Sequence, residues 1–163
     1  MKAIVVTDQA AGTAGMTLVE RPEPQAAGND VVVQVHASGF TPGELAWPST
    51  WADRLDRDRT PSIPGHELAG VVSALGYGTT GLSVGQRVFG LTDWTRDGTL
   101  AEYVAVEARN LAPLPGDVRC RTGFPSLQHD RGDNSHETDM VRPFRISHRG
   151  GRGQDPDRSV SFR

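Results

Sequence analysis

Short apolar runs rich in valine recur up to residue 117, at positions 3–6, 16–19, 31–35, 68–75, 87–91 and 100–106. Gly, Pro, Asn or Asp closes each run, so the pattern predicts short strands joined by turns. Such spacing points to a β-barrel or sandwich rather than to βαβ units. Residues 31–37 alternate apolar and polar only in their second half, as a strand leaving a buried stretch would. No helix of ordinary length is predicted before residue 117.

Residues 41–61 break the strand pattern. Glu44 to Trp47 predict a helical turn after Pro42, and Pro48 is expected to stop it. The Arg/Asp alternation from Asp53 to Arg59 reads as an exposed, mobile loop. Trp47 and Trp51 stand out in so polar a stretch. They either cap the barrel or line a pocket for a flat or apolar ligand.

Composition divides the chain. Residues 1–117 hold 15 alanines, 8 basic and 14 acidic side chains, whereas residues 118–163 hold no alanine and 9 arginines against 6 acids. The later segment has nine large apolar residues among 46, with no sustained period, and is expected to be a disordered tail. So abrupt a change suggests a different origin for residues 118–163, such as a reading-frame shift near codon 117.

Charge and cysteine content narrow the function classes. The net charge of −3 is small and mixed, and the acidic first part argues against a nucleic-acid partner. The single Cys120 excludes an internal disulfide framework and any multi-cysteine structural zinc site. Neither a secretory pattern nor an apolar run of about 18 residues is visible, so a soluble, cytoplasmic protein without a membrane partner is expected.

Two segments look chemical. Gly76-Tyr-Gly-Thr-Thr-Gly81 matches G-x-G-x-x-G, but turn and strand signals follow it where a phosphate site needs a helix. A tight connection between strands is the expectation there. His66 and Glu67 sit just ahead of an apolar strand, where successive side chains point to opposite faces. If His66 faces a cleft, Glu67 points behind it. In the tail, Arg131-Gly-Asp133 equals a cell-adhesion tripeptide that arises readily by chance, the histidines 129, 136 and 148 follow no metal-site spacing, and Gly150-Gly-Arg-Gly153 is a single RGG-like unit without aromatics.

Several motifs fall in a familiar order. They are the N-terminal KAIVV, Ala37-Ser-Gly-Phe-Thr-Pro-Gly-Glu44, Pro64-Gly-His-Glu-Leu-Ala-Gly-Val-Val72, Gly81-Leu-Ser-Val-Gly-Gln-Arg-Val-Phe-Gly90 and Gly98-Thr-Leu-Ala-Glu-Tyr-Val-Ala-Val106, ahead of Leu111-Ala-Pro-Leu-Pro115. Together they resemble the medium-chain dehydrogenase/reductase superfamily over residues 1–117. The resemblance is to the N-terminal GroES-like domain of zinc-type alcohol dehydrogenases and NADPH quinone oxidoreductases. It implies a mainly β fold, a partly open GroES-like barrel with short helical turns.

The resemblance also carries expectations for the site. The catalytic-zinc cysteine of the family falls at Thr41, while the histidine ligand is kept as His66. The Ser or Thr of the family's proton relay falls at Gly43 and the following Asp at Glu44. A threonine hydroxyl is a poor replacement for a thiolate, so zinc is not expected. Gly39-Phe-Thr-Pro42 looks like a variant of the segment in zinc-independent quinone oxidoreductases. The resemblance therefore implies hydride transfer from NADPH to a carbonyl, enone or quinone substrate, with Thr41, His66 and Glu67 as cleft residues and Phe40, Trp47 and Trp51 contacting substrate.

The family's Rossmann domain has no counterpart in the last 46 residues, where no strand-GxGxxG-helix pattern occurs. The expected function is thus the substrate-side domain of an NADP-dependent oxidoreductase, inactive alone. The alternative is a non-enzymatic GroES-like module that binds a small ligand or a protein through Trp47 and Trp51. A homo-oligomer is left open by either reading.

Overall fold

A computed structural model describes residues 1–116. The expectations for residues 118–163 lie outside the described residues. Among the described residues seven strands form, all joined antiparallel: β1 (Lys2–Val5), β2 (Thr17–Glu20), β3 (Asp30–Gly39), β4 (Glu67–Leu75), β5 (Arg87–Leu91), β6 (Tyr103–Glu107) and β7 (Leu111–Pro113). β1 and β2 make a two-stranded sheet, and the others a five-stranded sheet in the order β6-β3-β4-β5-β7. The two sheets do not close into a barrel, in keeping with the expected partly open β-rich fold.

β3 is the spine because the valine run at its start is buried on both faces. Val31, Val32 and Val33 are all buried, while beyond them Gln34 is half-buried and His36 exposed. A strand covered on both sides must be apolar throughout, and it can alternate only where one face meets water. Register shifts between Val32 and Val33, and between Val35 and Ala37, bend β3 against β4. The main core joins Val31, Val33 and Val35 to Leu68, Val72, Val88, Val104 and Val106. Each such side chain contributes roughly 1.5–3 kcal/mol on burial.

A second cluster of Ala3, Val5, Ile63, Leu100 and Ala101 ties the small sheet to the large one. It explains one departure from the sequence pattern. Residues 100–106 were expected to form one strand; instead Leu100 accepts the Ile4 N–H at 2.8 Å, and Ala101 bridges Ala3. β6 starts only at Tyr103. β7 was not expected at all, because three residues ending in proline carry little strand signal. Pro113 is tolerated there because β7 lies at the sheet edge.

The segment after β3 also departs from expectation. A 3-10 turn spans Pro42–Ala46 and ends before Pro48 as expected, and Pro48 then starts a further helical turn, Pro48–Trp51, that the sequence reading did not include. Proline lacks an N–H that the first turn of a helix leaves unused, so it suits a start as well as a stop. The Arg/Asp loop is exposed from Arg54 to Asp58 yet pinned: Arg57 pairs with Asp53 at 2.7 Å, Arg54 with Asp93, and the Arg59 guanidinium donates to the Ser49 carbonyl.

Candidate functional site

The loop before β4 sits against the segment before β6. Thr99 N–H donates to the Gly65 carbonyl at 2.9 Å, Leu100 N–H to Pro64 at 3.0 Å and Gly98 N–H to Ile63 at 2.7 Å. Gly65 has φ +90°, and a Cβ there would lie 2.7 Å from the Thr99 hydroxyl. A Cβ on Gly98 would lie 2.6 Å from the Pro64 carbonyl oxygen and 2.7 Å from that of Ile63. The two glycines let these strand-like segments approach at backbone distance, and the approach sets His66.

His66 is 5% exposed. Its Nδ1 lies 3.1 Å from the Thr92 hydroxyl, and its backbone carbonyl accepts the Thr92 N–H at 2.8 Å. On the other side Nε2 faces Glu44 Oε2 at 3.9 Å. Glu44 is 5% exposed and hangs back from its 3-10 turn, its Oε1 accepting the Thr41 N–H at 2.8 Å. Neither Glu44 Oε2 nor His66 Nε2 has a hydrogen-bond partner among the described residues.

Burial sets the charge of this pair. It pulls the His66 imidazole down to about 4, aided by the Arg59 charge and opposed by Asp93. Burial likewise raises the Glu44 carboxyl, with Glu67 adding to the effect and the backbone of Thr41 and Gly65 opposing it. His66 is therefore neutral near pH 7.

Two indoles stack outward from His66. Trp47 stacks on His66 with centroids 5.5 Å apart and planes at 19°. Trp94 stacks on Trp47 at 5.1 Å and 30°. Trp94 is 55% exposed, so the stack runs from a buried imidazole out to the surface. Sequence reading did not find Trp94, which lies in a polar loop far from Trp47 in sequence. Its only local signal is a large aromatic among Asp, Thr and Arg.

The other expected site residues are spread around this centre. Thr41 is exposed, at the head of the 3-10 turn. Glu67 is half-buried and pairs in register with Gly39, over which its side chain lies. Phe40 packs against the second core cluster. Trp51 donates its indole N–H to the Leu45 carbonyl at 2.8 Å, bracing the turn that carries Glu44. The two tryptophans thus differ in placement: Trp47 enters the aromatic stack and Trp51 holds its support.

A catalytic zinc does not fit the donors that are present. The thiolate position holds an exposed threonine, and His66 Nε2 is sealed against Glu44. No group of three or more His, Cys, Asp or Glu among the described residues could hold a metal ion. Gly76 to Gly81 form turns between β4 and β5 with φ +89° at Gly78 and +81° at Gly81, without the helix a dinucleotide phosphate would need. No described helix is long and apolar enough to cross a membrane.

Comparison with known proteins gives a consistent picture. The family model described as the alcohol dehydrogenase GroES-like domain matches residues 27–116. L-threonine 3-dehydrogenase of Ruegeria pomeroyi is 31% identical over 130 residues, covering 64% of this chain and 37% of that protein. Quinone oxidoreductase of Rattus norvegicus is 31% identical over 102 residues, covering 63% of this chain and 29% of that protein. Among solved structures, an alcohol dehydrogenase superfamily protein from Novosphingobium aromaticivorans superposes with a TM-score of 0.62 and 34% identity, covering 74% of this chain and 36% of that one. A quinone oxidoreductase of Pseudomonas syringae gives 0.63 and 26%, covering 74% and 35%. The chain therefore spans about a third of the length of these proteins.

Proposed function

Because the chain belongs to the alcohol dehydrogenase GroES-like domain family, we propose that it is the substrate-side domain of an NADP-dependent, zinc-independent oxidoreductase acting on a quinone or enone. The observation that carries this reading is the wall formed by neutral His66, Trp47 and Trp94, with an exposed threonine where a thiolate would be needed for zinc.

The described residues offer no phosphate cradle, so no step of hydride transfer is assigned to them. Their work is to bind and orient. The Trp47–Trp94 face supplies an apolar contact for the substrate ring, and the buried His66–Glu44 pair fixes the position of Trp47 beneath it. Thr41, exposed at the head of the 3-10 turn, carries a hydroxyl able to bond a substrate oxygen. Residues 118–163 are proposed to form a tail of separate origin.

Alone, the chain is expected to hold substrate without reducing it. The test is NADPH oxidation, followed by absorbance with 1,4-naphthoquinone in excess over the purified 163-residue chain. A rate above the protein-free background overturns the inactivity. Restored turnover on adding the nucleotide-binding domain of a quinone oxidoreductase supports the substrate-side role, and its absence counts against it.

A further inference from the structure

Trp94 is a large apolar side chain that is 55% exposed yet packed on one face. One face of its indole rests on Trp47, which in turn rests on His66. Its backbone is fixed from several sides. The Trp94 carbonyl accepts from Arg59 at 3.4 Å; Arg96 N–H donates to the Asp93 carbonyl at 3.1 Å; and Thr95 N–H donates to the Asp93 carboxylate at 2.8 Å. Arg54 reaches that same carboxylate, and Arg96 forks onto buried Asp30 with contacts of 3.1 and 2.6 Å.

An exposed indole clamped in this manner loses little further freedom when a ligand covers it, so stacking energy is not spent on ordering it. A neutral imidazole and a second indole behind it present a π surface rather than a charge. Offset stacking adds to the gain from area alone, and only a flat conjugated ring collects it.

We propose that the open face of Trp94 is the platform for a planar conjugated ring, and that this stack selects ring substrates over saturated or open-chain carbonyls of equal size. The inference deepens the proposed function and rests on it for the word substrate, but binding by this chain tests it without turnover. The quinone end of the substrate range is favoured over aliphatic enones and alcohols.

The test uses the full chain labelled with ¹⁵N and the probe pair 1-naphthol and decahydro-1-naphthol, with dissociation constants read from shifts of the indole N–H resonances. The aromatic probe is expected to bind about 2- to 10-fold tighter than its saturated counterpart. Trp94→Leu, which keeps apolar surface and removes the ring, should bring the two affinities together; Trp94→Phe should keep most of the preference. Equal affinities in the unsubstituted chain, no binding of either probe, or a preference that survives Trp94→Leu each overturns the proposal. Absent turnover with a supplied nucleotide-binding domain would instead sink the enzymatic reading and leave this preference standing.

Discussion

His66 Nε2 and Glu44 Oε2 face each other across 3.9 Å, both buried and neither with a hydrogen-bond partner among the described residues. The gap is too long for a hydrogen bond, and each atom is sealed from water. In the tautomer whose Nδ1–H donates to the Thr92 hydroxyl, Nε2 is an acceptor facing the Glu44 carboxylate, and what the pair then lacks is a donor.

Glu44→Gln supplies one. The amide oxygen can keep the Thr41 N–H while the amide N–H₂ turns to His66. A gain of about 1 kcal/mol in stability at pH 7 is expected from urea unfolding. A loss of stability would show that the carboxylate is better placed than its missing partner suggests.

The same pair gives a pH dependence with opposing arms. His66 titrates near 4 in the folded chain against 6.5 when unfolded, so between these values the unfolded state binds more protons. Stability contributed by neutral His66 is therefore full above about 6.5 and falls as pH drops toward 4. Glu44 runs the other way: its folded carboxyl titrates above the usual 4.5, so stability falls as pH rises from there through the folded value. In a Glu44→Gln background only the histidine arm remains, and adding His66→Asn should flatten stability across that window. Unfolding curves at a series of pH values check this, and an unchanged slope would sink the assignment.

Asp30 and Arg96 form a bidentate pair at the start of β3, with Asp30 4% exposed. Arg96→Met strands a buried carboxylate and is expected to cost about 3 kcal/mol, measured by thermal unfolding. Asp30→Asn added to Arg96→Met should recover part of that loss, since no buried charge then remains. The Arg96 hydrogen bond holds the Asp30 carboxyl below its ordinary 3.8. The stabilisation is thus present above that value and disappears as pH falls through the folded one.

Gly98 and Gly85 separate two reasons for glycine. A Cβ at Gly98 would collide with the carbonyls of residues 63–65, and Gly98→Ala is expected to cost more than about 3 kcal/mol or to prevent folding. Gly85 has φ +85° but open space around a Cβ, so Gly85→Ala should cost only about 1 kcal/mol through backbone strain. Equal losses in denaturant titrations would remove the claim that close approach shapes the His66 loop.

Much of the fold could be read from residue order because its determinants are local. Turn residues and valine runs place six of the seven strands within a few residues, since period and punctuation act over neighbours. β7 escaped because its pairing with β5 depends on where the chain returns, and not on its own three residues. The turn Pro48–Trp51 escaped for a related reason: the proline that closes one turn can open the next, according to later contacts.

The sequence by itself determined a β-rich domain of this family, with His66 retained and the thiolate position lost, because residue identity and spacing carry that information without distances. Tertiary structure alone decided the company His66 keeps. Glu44 arrives from the turn after β3, Thr92 from the end of β5 and Trp94 from the loop beyond it, and only folding brings them to one imidazole. Burial, which exists only once these segments pack, then fixes His66 neutral and leaves Trp94 as the exposed end of the stack.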